Sequence, residues 1–224
     1  MIRRNPCRIK GAGHDKANER PTATLDQVFA IAEHIDARYR LMILLAAFAQ
    51  LRFGELVALR RNSIDLGKME LRVRLATAEM EDGTQEDGDP KSDAGKRPIS
   101  LPAGLRGDIE THLDRYAQAG AHGRLFVGPL GGIPRRRNFH RVWRAALKRA
   151  GIPDDMDLHP HDLRHTGSTW SAQSGATLKE LMTRIGHSST RAAMIYQHAS
   201  RDRDDAIAAA LDALTVEART QATK

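Results

Sequence analysis

The chain predicts a mainly α domain carrying a small antiparallel β-sheet, an α+β fold, on three observations. Apolar residues recur at helical spacing along most of the 224 residues, and period-2 alternation is confined to two short segments. Thr24 and Gln27 stand at capping-box spacing ahead of Val28, Ile31 and Ile35, which marks a helix start. The length suits one large domain, or a domain with extensions, able to bury a real core.

Residues 1–20, MIRRNPCRIKGAGHDKANER, are polar, basic and aperiodic and read as a linker. The first helix follows Pro21 and Thr24, a second runs over Arg40 to Gln50 and a third over Phe53 to Arg60, with leucines and alanines at core spacing. Met69 to Ala76 alternates as a strand, an acidic segment follows, and Arg97 to Leu101 supplies the partner strand. Helices are expected at 103–118, 136–150, 161–174, 177–185, 190–198 and 202–213.

The formal charge of +7 makes a polyanionic partner plausible, and Arg135, Arg136, Arg137, Arg141 and Arg144 lie along one expected helix at a density that suits phosphates. Aromatic residues make up only 4%, which argues against binding single strands by base stacking and favours duplex DNA held by its backbone. Cys7 is the only cysteine, so no intrachain disulfide can form and a reducing cytoplasm fits. No secretory signal and no apolar run of membrane-spanning length is apparent.

The chemistry concentrates between His159 and His198, in HPHDLRHTGSTWSAQSGATLKELMTRIGHSSTRAAMIYQH. A phosphodiester under attack gathers negative charge on its non-bridging oxygens, and a guanidinium such as that of Arg164 matches them with paired hydrogen bonds. His161, three residues earlier on the same helical face, can handle a proton near neutral pH. The Tyr196 hydroxyl, with an ordinary pKa of about 10, needs such neighbours to attack phosphorus.

This segment resembles the catalytic region of the tyrosine recombinases, the phage-integrase family, in which HDLRHT is followed by LGH and then by a tyrosine. His161 to Thr166, Ile185-Gly186-His187 and Tyr196, nine residues after His187, match in type, order and spacing. The resemblance implies that His161 and Arg164 meet the phosphate, His187 adds a further donor, and Tyr196 is the nucleophile that becomes linked to a DNA 3′-phosphate. An earlier Arg-x-x-Glu falls on Arg52 and Glu55, with Ala49-Gln50 in place of the usual Thr-Gly. Glu55 is expected to orient Arg52 or His161. In GDPKSDAGKRPISLP, Lys91 matches the family's turn lysine, which protonates the leaving 5′-oxygen; Lys96 is its competitor and Arg97 is read as guarding the turn. Six acidic residues from Glu79 to Asp89 precede Lys91, an awkward approach to a DNA groove.

The resemblance covers residues 21–200, read as the catalytic domain. It implies a helical core-binding domain ahead of residues 1–20, so the chain reads as the catalytic part of a longer integrase. Residues 201–224 form a helix and tail in which Ile207, Leu211 and Leu214 share one face, expected to dock on a neighbouring protomer. Site-specific strand exchange without metal, nucleotide or other cofactor is the expected activity. A monomer when free and a homotetramer on attachment-type DNA sites are implied, with no membrane partner, in the cytoplasm of a bacterial host and of phage or mobile-element origin.

Three other readings fit the residues less well. A metal site built from His159, His161, His165, His187 and His198 matches no ligand template. A non-catalytic DNA-binding module would lack a member of the catalytic set, and none is missing. A type IB topoisomerase shares the tyrosyl chemistry but carries Ser-Lys before the tyrosine, where this chain has Ala192-Ala193-Met194-Ile195. Tyr39, Tyr116, Trp143 and Trp170 read as packing residues.

Overall fold

The computed structural model describes residues 20–90 and 93–186. Helix α1, Leu25–His34, starts at the capping box of Thr24 and Gln27: Thr24 Oγ1 accepts from the Gln27 amide, and Gln27 Oε1 accepts from the Thr24 amide. Helix α2, Ala37–Phe48, is buried from Leu41 through Ala47. A helix apolar all round can lie only in the middle of a core, and α2 packs against α1, against the short α3 (Phe53–Ala58), against α4 (Arg106–Arg115) and against α6 (Asp162–Gln173). Helix α5, Arg136–Arg149, buries Phe139, Trp143 and Ala146 on one stripe, and the Trp143 indole donates to the Leu158 carbonyl at 3.0 Å. Helix α7, Leu178–Ile185, opens on a second capping box, Thr177 with Glu180, and closes on Gly186 at φ 66.

Two antiparallel sheets accompany the helices. The larger has the order β1-β2-β5, from Ile64–Asp65, Glu70–Val73 and Arg97–Ser100. Its register pairs Leu71 with Ile99 and Val73 with Arg97, and all four are buried. Period-2 alternation therefore carries Arg97 inward together with Ile99.

The smaller sheet is a hairpin of β3, Ala76–Glu79, and β4, Gln85–Gly88. It occupies the acidic stretch, whose polar sequence carries no apolar alternation to announce a strand. Asp87 explains how it is held: its carboxylate accepts from Thr77 Oγ1 at 2.6 Å, from Arg124 Nη2 at 2.8 Å and from Arg60. The expected helix at 103–118 is shorter, because Ala103–Leu105 is a 3-10 turn. The expected helices at 190–198 and 202–213 lie outside the described residues.

Tyr39 is buried edge-on against Phe139, Tyr116 lies against the His112 ring, and Trp170 packs on Phe48. Among the described residues no helix is long and apolar enough to cross a membrane.

The hairpin reaches α3 through Gly54, where a Cβ would stand 2.8 Å from the Thr77 carbonyl oxygen. Backbone meets backbone there, so neither side can yield by a rotamer change. Gly54→Val is expected to lower stability by about 1–3 kcal/mol, read as a lower urea midpoint; an unchanged midpoint would show that β3 does not seat on α3.

Candidate active site

The site is organised by the break between α2 and α3. After Ala49 the chain turns through Gln50 at φ 56, a left-handed conformation, and Arg52 then serves as the N-cap residue of α3. Glu55, three residues into the helix, accepts from the Arg52 amide at 2.9 Å through Oε2 and from Arg52 Nη1 at 3.2 Å through Oε1. Ala49-Gln50 stands where the resemblance leads one to expect Thr-Gly, and Gln50 takes a positive φ.

Glu55 is only 2% exposed, and a carboxylate so buried requires cationic partners. Arg97 reaches it from β5 with a two-pronged fork, Nη1 to Oε1 at 3.1 Å and Nη2 to Oε2 at 3.2 Å. Arg164 approaches from α6, with Nη1 3.8 Å from Oε2. Burial pushes the Glu55 carboxyl up, but the Arg97 hydrogen bonds and charge, the Arg52 amide and the Arg164 charge outweigh it and hold the group below its ordinary 4.5. Three guanidiniums thus surround one carboxylate, leaving two positive charges uncompensated within the cluster. The side chains of Arg97 and Arg164 are 3% exposed, whereas that of Arg52 is 41% exposed and is the member that faces solvent.

Arg97 therefore does not guard the turn, as its sequence position suggested. The β-sheet register drives it inward, where it also donates to the Gly95 carbonyl at 2.9 Å and to the Arg184 carbonyl at 2.7 Å. Its alternation in phase with Ile99 and Leu101 was the available signal. Arg164 donates to the carbonyls of Gln50, at 2.5 Å, and Ile185, at 2.6 Å, so the end of α2 and the end of α7 share its fork. Lys96 lies on the surface beside Asp89, Nζ to Oδ2 2.8 Å. Lys91, His187 and Tyr196 lie outside the described residues.

His161 stands at the N-cap position of α6 and lines a cleft of about 320 Å³ together with Arg52, Arg136, His140 and His159, over an apolar floor that includes Phe53 and Leu163. Although His161 is exposed on the rim, desolvation by the cleft, then His165 and Arg164, lower its pKa from 6.5 to about 4. A shift in this direction favours the neutral imidazole at pH 7 in the free chain. Asp162, fully buried, shapes this corner by accepting from both Arg20 Nε (2.9 Å) and Arg20 Nη2 (3.0 Å) and from the His159 amide (2.7 Å). Neither Asp162 nor Arg20 stands out in the sequence, because an ion pair between residues 142 positions apart leaves no local pattern.

The five arginines nominated for DNA are all exposed on or beside α5, but they do not face one way. Arg136 stacks over Phe53, 5.6 Å from its ring centroid, on the cleft itself. Arg141 instead borders a separate groove with Asp36 and Arg149. Arg135 turns toward Glu79 of the hairpin, 3.7 Å away. His140 and His159 stand 6.2 Å apart, ring to ring.

Replacing Glu55 by Gln removes the anion that Arg97 and Arg164 are buried against, which is expected to cost about 3–5 kcal/mol at pH 7. Because the Glu55 pKa is depressed, its contribution is present above 4.5 and lost as pH falls through the folded value. Denaturation midpoints of wild type and Glu55→Gln are therefore expected to converge on acidification. Equal stability at pH 7 would contradict the role of the carboxylate.

Residues 22–203 match the phage integrase family. The chain is 42% identical over 219 residues to the prophage phiRv2 integrase of Mycobacterium tuberculosis, covering 96% of this chain and 57% of that protein. It is 36% identical to the integrase of Mycobacterium phage L5, again over 96% of this chain and 57% of that one. The chain thus spans little more than half the length of these relatives. Its fold is similar to that of the Tn1549 transposon integrase in complex with transposon right end DNA, with TM-score 0.75, 21% identity, and coverage of 94% of this chain and 73% of that one. On the family match and the two mycobacterial relatives, this chain belongs to the phage integrase family of tyrosine recombinases.

Proposed function

We propose that the chain is the catalytic part of a site-specific DNA recombinase, cleaving and rejoining duplex DNA through a covalent 3′-phosphotyrosyl intermediate. The observation that carries this reading is the guanidinium cluster: Arg52, Arg97 and Arg164, fixed about Glu55 with two positive charges in excess, beside a cleft lined by His161. Such an arrangement supplies charge where a pentacoordinate phosphorane develops it, without reorganisation at the moment of reaction.

In this scheme the Tyr196 oxygen loses its proton and attacks phosphorus, the phosphorus–O5′ bond breaks, and Lys91 protonates the departing 5′-oxygen. His161 and His187 hydrogen-bond the phosphate and handle protons; neutral His161 can donate an N–H or accept the tyrosine proton at its other nitrogen. A 5′-hydroxyl of another strand then reverses the attack. One phosphoester replaces another, so no ATP is required. Lys91, His187 and Tyr196 enter this scheme through their motif spacing.

Arg136, on the cleft, would hold a phosphate next to the scissile one, and Arg135, Arg137, Arg141 and Arg144, on other faces of α5 and its N-cap, would meet phosphates farther along the duplex, which position it without reading sequence. Assembly as a homotetramer on attachment-type sites, with the helix at 202–213 docking in trans, follows the family pattern. So do a monomeric free state and a site of action in the bacterial cytoplasm. The phage and prophage relatives support a role in integrating viral DNA.

The test uses a library of nicked duplexes with randomised arms, on which cleavage releases a short strand and traps the protein on DNA. Wild type is expected to give a protein–DNA adduct on a denaturing gel and Tyr196→Phe none. Arg52→Lys and Arg164→Lys should each lower the single-turnover cleavage rate at least a hundredfold with binding largely kept, because lysine retains the charge and loses the bidentate fork. An adduct from Tyr196→Phe would remove the nucleophile from its role; near wild-type rates in both lysine variants would remove the arginine clamp.

A further inference from the structure

Gln50 concentrates two costs in one buried residue. It takes φ 56, where a side chain is strained and glycine is not, and its Oε1 has no hydrogen-bond partner among the described residues. Glycine would satisfy the backbone at no cost, and glycine is what the family pattern leads one to expect. Strain of this kind persists where the surroundings impose it.

The remaining atoms of Gln50 account for its presence. Its carbonyl accepts from Arg164 Nη1 at 2.5 Å. Its Nε2 donates to the Gly167 carbonyl at 2.8 Å and to Ser171 Oγ at 2.6 Å. Arg164, Gly167 and Ser171 are spaced by three and four residues and so form one stripe of α6. Gln50 grips that stripe at three successive points, and Arg52 leaves the same turn two residues later. The fit is reciprocal, because a Cβ on Gly167 would lie 1.8 Å from the Ala47 carbonyl oxygen and 2.9 Å from Gln50 Cγ. Helix α6 thus approaches α2 only with a glycine at 167, and the Gln50 stem lies directly against it.

We propose that Gln50 is a positioning residue of the active site: its carboxamide clamps α6 to the end of α2 and thereby sets the separation of the Arg52 and Arg164 guanidiniums at the scissile phosphate. The proposal rests on the phosphodiester-cleavage reading above. It differs from a packing role in one respect. A residue needed only for the turn would be replaced by glycine without loss, whereas the clamp would not.

The experiment compares wild type, Gln50→Gly and Gln50→Asn in the full 224-residue chain, using a nicked duplex recovered from the adduct library. Asparagine tolerates the left-handed turn but is one methylene too short to reach Ser171, and serves if the glycine variant folds poorly. Folded fraction is measured by circular dichroism, affinity by titration, and cleavage as the single-turnover rate at saturating DNA. Both variants are expected to bind DNA within twofold of wild type and to cleave at least tenfold more slowly per folded molecule. Cleavage by Gln50→Gly at the wild-type rate would overturn the proposal and leave the recombinase reading intact. Losses that merely follow the folded fraction would overturn it too. No Tyr196-dependent adduct from wild type would overturn both.

Discussion

A single buried carboxylate sets the terms for the rest of the site. Isolated in a protein interior, an ionised Glu55 would cost several kcal/mol, roughly, and would take up a proton instead. It stays charged because guanidiniums converge on it from three separate elements: Arg52 from the head of α3, Arg97 from β5 and Arg164 from α6. Each arrives by a different local rule. Arg52 is placed by the left-handed turn after α2, Arg97 by the pleat of its strand, and Arg164 by the helical stripe that faces α2. Arg97 and Arg164 also donate to the carbonyls of Arg184 and Ile185, so the end of α7 is tied to the same anion.

Such clusters are a poor source of stability, since desolvation offsets most of the Coulomb attraction and an apolar substitute of equal volume would often serve the fold as well. What the cluster does supply is fixed charge in a low-dielectric setting, two units of it beyond what Glu55 neutralises. An incoming phosphodiester meets donors already held in place, which is where electrostatic catalysis gains over water. A depressed His161 pKa fits this arrangement: desolvation by the cleft lowers it most, and His165, Arg164 and Arg52 add repulsion against a further positive charge.

Local signals made much of this legible from sequence. The capping boxes at Thr24 and Thr177 place the starts of α1 and α7, and the apolar stripe of Phe139, Trp143 and Ala146 places α5. Arg52, Glu55, His161 and Arg164 could be nominated because their spacing is a family pattern, and the structure brings the first, second and fourth around one point with the third on the adjoining cleft. The β3–β4 hairpin was illegible because its strands are polar and its anchor, Asp87, reaches Arg60 and Arg124 far away in the chain. Arg97 was misread for a different reason. Arginine beside a turn is ordinarily a surface residue, and only its phase with Ile99 and Leu101 pointed inward. At Gln50 the residue type gives no hint of a left-handed turn, and only the backbone shows it.

The claim on which the account turns is that Glu55 remains ionised where burial alone would neutralise it. Carbon-13 NMR titration of the side-chain carboxyl, assigned by comparison with Glu55→Gln, measures this directly. The account predicts titration below the ordinary value of 4.5. A midpoint at or above that value would mean that desolvation outweighs the arginines, and the three guanidiniums would then have no common anion to hold them in place.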